Sequence, residues 1–298
     1  PPSAADAYAP HAGLVVLRRG PLRLTMDVGP LGHLSLAAHG HADALAVTVT
    51  RDGRDVIGDP GTNSYYAEPS WRRAFRGTRA HATAAVDDVD QSVPGGPFLW
   101  MRHAVTTVRS VDLAGGVVDA EHDGYSRLAQ PVVHRRWLLA PPAPGTVVVV
   151  DLFTGTGAHR IRTAWPLHPR LDVDGDDTGF RVTEAGAPVL SVTTVGTVGL
   201  TDWSVRGDVD SGLGWWSERF ESRVPSWLVG AVTEDAVDVP VAVVTLLAAG
   251  SGEPPTGARV ALVGEHIELG WREGDAHHEV TLDHSRSGAV VHRITTGG

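Results

Sequence analysis

The 298-residue chain contains no cysteine, so disulfides and thiolate metal sites are both excluded, and the redox compartment cannot be read from it. No run of about 18 apolar residues occurs, so no segment is expected to span a membrane. The opening residues, PPSAADAYAPHAG, lack the charged-then-apolar order of a secretory leader. They read as a linker, and without an initiator methionine the chain is expected to be part of a longer protein. Neither a G-x-S-x-G nucleophile elbow nor a phosphate loop is found, which leaves acyl transfer and nucleotide chemistry without a foothold. A repeat of about 33 or 40 residues is also missing, which argues against a solenoid or propeller. Positive charge is scarce: 25 Lys+Arg stand against 35 Asp+Glu, a formal charge of −10. That balance argues against nucleic acid or an anionic membrane as partner, and leaves an acidic polysaccharide only a local basic patch.

What is abundant is period-two patterning. Leu45, Val47 and Val49 alternate with small or polar residues, RDGRD makes a turn, and Val56-Ile57 starts a return strand. The same grammar recurs in GLVVLRRGPLRLTMDVG, HAVTTVRSVDLAGGVVDAEHD, HRRWLLAPPAPGTVVVVDLF, PVAVVTLLAAG and ARVALVGEHIELGW. Turn signals return roughly every 8–15 residues. The expected fold is all-β, a large antiparallel β-sandwich of two sheets face to face with little helix. Only EPSWRRAFRG suggests a helical turn or two, with Ser70 as N-cap. A weak sub-boundary is expected near 206–214, where RGDVDSGLG clusters turn residues; otherwise 1–298 reads as one domain.

Chemistry concentrates in AAHGHADALAVTVTRDGRDVIGDPG, residues 37–61, and in RAHAT just beyond. Residues i and i+2 of an extended segment share a side, which groups His39 with His41 and His41 with Asp43. A hairpin pairing 44–50 with 54–58 would return Asp59 beside them, and His81 follows a Trp/Arg-rich loop. Two imidazoles and a carboxylate with one open position suit zinc, and Mn2+ or Fe2+ would also accept them. Spacing alone leaves open a metal site or ordinary surface histidines. The HAD triplet also invites a facial-triad iron oxygenase with His81 or His122 as distal ligand. The arginine expected after that histidine is absent. YYAEPSWRRAFRGTRAH supplies four arginines against one glutamate, with Tyr65 and Trp71. Guanidinium groups for carboxylates and aromatic faces for pyranose rings would suit a uronic-acid sugar; a solvated loop is the alternative.

The ordered pieces H39-G-H-A-D-A-L45, D59-P-G-T62, W71-R-R-A-F-R-G-T78, R79-A-H-A-T83 and V86-D-D-V-D-Q-S92 resemble the heparinase II/III family, polysaccharide lyases related to the alginate and oligoalginate lyases. The match is strong over about 14–92. The resemblance implies the C-terminal β-domain of such a lyase, with zinc on His41, Asp59 and His81 and Asp43 as support. It implies that His39 faces the substrate and assists catalysis; the basic, aromatic loop itself offers Arg72, Arg76, Tyr65 and Trp71 as the expected sugar contacts. The implied chemistry is β-elimination on a uronic acid, for which an imidazole titrating near about 6.5 can serve as base or donor. A secreted or cell-envelope location is suggested by the same resemblance. In these lyases a catalytic tyrosine, and a histidine or asparagine that neutralises the carboxylate, come from an upstream helical toroid. No helical repeat here corresponds to it, so an N-terminal helical domain of a parent protein is an expected partner. Ala82 stands where the family usually has asparagine. The alternative is a non-catalytic carbohydrate-binding or structural module stapled by zinc.

Overall fold

The computed structural model describes residues 5–141, 145–250 and 254–296. Its centre is an eight-stranded antiparallel sheet. The strand order is Asp172–Asp176, Gly179–Glu184, Ala187–Gly196, Val241–Ala249, Val147–Gly155, Val132–Leu139, Val117–His122 and Thr106–Asp112. The middle strand, VVVVDLFTG, is apolar almost throughout because both its faces are covered. Val147 and Val149 join one core cluster while Val148, Val150 and Leu152 join another.

On the first face packs an N-terminal five-stranded sheet, Ala7–Ala9, Leu14–Arg19, Leu22–Asp27, Val47–Arg51 and Arg54–Ile57. Leu17, Leu24, Met26, Val47 and Val49 fill the space against Leu138, Val149 and Leu247. A second five-stranded sheet, containing Ala84–Val86, Ile161–Thr163, Trp165–Pro166, Leu200–Arg206 and Trp227–Thr233, continues this layer. Together they form the sandwich. A four-stranded sheet over Thr256–Thr296 covers the opposite face through Ile267, Leu269, Trp271, Val280 and Leu282.

Two local expectations change. Residues 7–9 of the supposed linker pair with 14–16 as an edge strand, while residues 1–4 lie outside the described ones. The helix is Pro69–Arg76, with proline at its first position and Glu68, not Ser70, at the cap; proline's missing N–H is harmless there. The turn at 206–214 leads from the strand Leu200–Arg206 into the small hairpin of Trp215–Arg219 and Ser222–Pro225. Leu200–Arg206 pairs with Trp227–Thr233 across that excursion, within one sheet.

The hairpin that matters for function is set by RDGR. Asp52 and Gly53 both take positive φ (51° and 77°), the two-residue turn whose twist matches the strands. Arg51 pairs with Arg54 and Val49 with Ile57. Ile57 then bridges to Leu167 and the Gly58 N–H donates to the Pro166 carbonyl, so the chain enters Asp59 anchored on both sides.

Candidate metal and sugar site

Three loops at one end of the N-terminal sheet meet in a cleft of about 340 Å³ lined by Asp27, His39, His41, Asp43, Asp59, Thr62 and Gln91, among others. Each of His41, Asp43, Asp59 and His81 turns one ligand atom inward, and these four atoms all lie within 4.8 Å of one another. His81 is 1 % exposed and His41 9 %. Asp59 is held by its own turn: Oδ1 accepts from the Gly61 N–H at 2.7 Å, leaving Oδ2 at 3.2 Å from His81 Nδ1 and 3.7 Å from His41 Nδ1. Gly61 has φ +87°, and a Cβ there would lie 2.2 Å from the Ser217 carbonyl oxygen, so the DPG turn needs its glycine.

The histidine tautomers decide what this cluster can do. His81 Nε2 lies 3.0 Å from the Phe75 carbonyl oxygen. A carbonyl only accepts, so Nε2 carries the hydrogen and the Nδ1 lone pair points at Asp59 Oδ2. A lone pair facing a carboxylate is repulsive unless a proton or a cation stands between them. Without a cation the cluster must therefore hold protons. Burial alone would lower the His81 pKa, but the Asp59 and Asp43 carboxylates raise it to about 9. Burial raises Asp43, only partly offset by His81 and His41. Burial and the neighbouring Asp43 push Asp27 up to about 7. Asp59, with a side chain 46 % exposed, is held well below the carboxylate range; partial burial opposes this, and His81, then His41, outweigh it. The His81 lone pair among carboxylates, with the His41 imidazole beside it, fits a divalent cation of the zinc type.

His39 stands apart from the cluster. It is exposed at the mouth of the cleft, its Nδ1 lies 3.3 Å from the Tyr65 hydroxyl, and its ring meets Tyr65 and Phe98 edge-on. Phe220 also packs on Tyr65, with ring centroids 5.0 Å apart. The result is an imidazole–phenol pair on an aromatic wall, two residues from the cluster histidine His41.

The heparinase II/III-like C-terminal family model matches residues 1–239. The chain belongs to that family. Among curated proteins none matches. Solved structures resemble it closely in fold. A crystal structure of heparinase III superposes with a TM-score of 0.74 at 16% identity, covering 99% of this chain and 43% of that one. Heparan sulfate lyase HepC from Pedobacter heparinus superposes with a TM-score of 0.71 at 15% identity, covering 95% and 43%. This chain thus spans less than half the length of those lyases.

Within this heparinase-type domain, the remaining sugar-contact candidates separate. Tyr65 is at the cleft beside His39. Arg72 and Arg76 are each 2 % exposed and turn their guanidinium groups to loop carbonyls, with Arg72 lying over the Tyr65 ring. Arg72 donates to the Pro97 and Ala38 carbonyls; Arg76 donates to those of Gly96 and Pro97 and lies over Trp100. Both tie the helix Pro69–Arg76 to the loop that carries Phe98, and Arg72 also ties it to the loop that carries His39. Trp71 faces the opposite way, edge-on to Trp215 and under Arg223, lining a separate groove. Asp43, expected as support, belongs to the ligand-atom cluster itself. His122, the distal ligand of the oxygenase reading, sits in the central sheet bonded to His134.

Asp27 and the network behind the cluster were not legible in sequence. Asp27 closes the strand LRLTMD and looks like any strand-end aspartate. Arg136, whose guanidinium donates to the Leu45 and Ala82 carbonyls, lies in an apolar strand where only its oddity as a charge in VVHRRWLL could have marked it.

Proposed function

We propose that residues 1–298 form the C-terminal β-domain of a longer polysaccharide lyase that cleaves uronic-acid glycans by β-elimination. His41, Asp59 and His81, with Asp43 beside them, would hold zinc in preference to Mn2+ or Fe2+. The observation that carries this is the split between neighbours: His41 turns into the cluster while His39 stands free at the cleft with Tyr65 against its ring.

In β-elimination the C5–H bond breaks, C4=C5 forms, and the C4–O4 bond breaks with a proton delivered to the leaving oxygen. The C5 proton is abstracted at a useful rate only when the adjacent carboxylate is neutralised and a base stands ready. His39 supplies a base or donor at the cleft mouth. Tyr65 orients that ring through Nδ1 and, with Phe98 and Phe220, offers apolar faces on which a pyranose packs. Arg72 and Arg76 keep the two loops in register, so the pair stays at one geometry. Zinc, when bound, ties the three loops together and replaces the protons the cluster otherwise needs. The carboxylate-neutralising residue and a further tyrosine belong to the helical domain preceding this one in the parent protein. Heparan sulfate, the substrate named for the Pedobacter neighbour, is the first glycan to test.

The test is incubation of the full-length parent protein with heparan sulfate and with alginate, monitoring the ultraviolet absorbance of unsaturated uronate. A rise that His39→Ala abolishes supports the proposal. Glycan binding with no absorbance change in the wild-type protein would make the domain a carbohydrate-binding module instead.

A further inference from the structure

The strand Val132–Leu139 carries two consecutive arginines, and alternation sends them to opposite faces of the central sheet. Each holds a buried carboxylate with two bonds. Arg135 grips Asp119 at 2.8 and 2.7 Å and donates onward to the carbonyls of His284 and Arg286 in the turn that joins the last two strands of the C-terminal sheet. Arg136 grips Asp151 at 2.6 and 3.0 Å, and both residues are fully buried. Its remaining nitrogen, Nη1, donates to the Leu45 carbonyl at 2.9 Å and the Ala82 carbonyl at 2.7 Å.

Those two carbonyls lie directly behind the cluster. Ala82 comes immediately after the cluster residue His81, and Leu45 closes the turn that begins at Asp43, whose carbonyl accepts from Ala46 N–H. Leu45 has φ +63°, a conformation that costs a leucine about 1–2 kcal/mol and persists only where surroundings hold it. One guanidinium therefore holds the backbone behind Asp43 and the backbone behind His81 at the same time, adding to the direct bonds between them from the Val47 N–H to the Ala82 carbonyl and from the Thr83 hydroxyl to the Ala44 carbonyl. Asp151 is held in turn by His134, at 2.6 Å, so the carboxylate cannot turn away from Arg136.

We propose that Arg136 is a positioning residue for the metal cluster: anchored by Asp151, it sets the spacing between the His41–Asp43 loop and His81, and so the affinity and geometry of the bound ion. This rests on the reading of the cluster as a metal site. Residues one layer behind metal ligands commonly change affinity 10–100-fold when removed.

Removing Arg136 alone would strand a buried carboxylate, so the informative variant is the neutral pair Arg136→Met/Asp151→Asn. Its control is Arg135→Met/Asp119→Asn, which dismantles the other buried two-bond arginine–aspartate pair, on the opposite face. Zinc dissociation constants are measured on the folded chain by chelator competition, and the d–d spectrum is recorded after loading with Co2+. The expected result is a roughly 10–100-fold weaker zinc constant and a shifted cobalt spectrum for the Arg136 pair, with the Arg135 pair within about threefold of wild type. Equal effects from both pairs, or none from either, would overturn the positioning role while leaving the metal site intact. Wild-type protein that binds neither ion overturns the metal reading itself, and the role with it. If the Arg136 pair does not fold, Arg136→Lys decides. Lysine keeps the charge opposite Asp151 but cannot hold a carboxylate with two bonds and two carbonyls together, so wild-type affinity and spectrum in that variant would sink the proposal.

Discussion

Acid should unfold this domain early, and one short chain of bonds dictates how early. The Gly124 N–H donates to His122 Nδ1 at 3.1 Å, His122 Nε2 lies 3.0 Å from His134 Nδ1, and His134 Nε2 lies 2.6 Å from Asp151 Oδ1. Only one protonation pattern satisfies every link: both imidazoles neutral, each with its hydrogen on Nε2. Burial holds His122 well below the usual histidine range, with His134 and Arg136 adding to it; burial likewise lowers His134 against the pull of Asp151. Linkage fixes the sign. Below the unfolded value of about 6.5 the unfolded chain takes up protons that the native state refuses, so stability falls as pH falls. Between pH 6 and 5 each such histidine should remove about 1.2 kcal/mol, from 1.36 kcal/mol per bound proton and near-complete protonation of the unfolded form. His122→Gln keeps a donor toward His134 but no longer titrates. Urea unfolding of chelator-stripped wild type and variant, monitored by tryptophan fluorescence at pH 6 and pH 5, should show the variant losing about 1.2 kcal/mol less over that interval. Equal losses in the two proteins would mean that His122 is protonated in the native state, and the bonding pattern above would be wrong.

Other consequences are simpler to check. Gly61→Ala puts a methyl group 2.2 Å from the Ser217 carbonyl oxygen at φ +87°; left-handed strain plus overpacking should cost roughly 2–5 kcal/mol, and an unchanged melting temperature would refute the reading of the DPG turn. Asp151 is held at about 2, since Arg136 and His134 outweigh the burial that would raise it. Its contribution should therefore persist above about pH 4 and disappear as pH falls toward 2, a loss that Asp151→Asn should not show. Arg72→Met frees the Ala38 carbonyl, leaves the Pro97 carbonyl to Arg76 and removes the guanidinium that lies over the Tyr65 ring, while the four cluster residues stay unchanged. In the full-length protein it should lower turnover through His39 while zinc content stays at the wild-type level; lost zinc with unaltered turnover would reverse that assignment.

How much of the molecule could be read from its sequence depends on the range of the interactions. The hairpin Val47–Ile57 and its return to Asp59 come from alternation and a DG turn, both local, and the sheet-rich architecture comes from the same grammar. HGHADAL and DPG could be grouped because their partners lie within one hairpin. Asp43 could not be sorted: next to His41 in an extended segment, a ligand and a supporting carboxylate look alike, and only the position of His81 across the fold separates them. Arg72 and Arg76 looked like sugar contacts because a cationic, aromatic segment is normally exposed. Their acceptors, the carbonyls of Ala38, Gly96 and Pro97, come from loops that no local pattern joins to the helix. Arg136 was hidden for the same reason, since its four bonds reach Leu45, Ala82 and Asp151 from far along the chain.

Everything said of the site depends on a cation occupying the four-residue cluster, and metal content tests that directly. Protein purified without chelator should carry about one zinc per chain by elemental analysis, consistent with a single closed set of His and Asp donors. His81→Ala should abolish that zinc, whereas His39→Ala should retain it in full. Wild-type protein without metal that also fails to take up added zinc, or His81→Ala that keeps its zinc, would contradict the account.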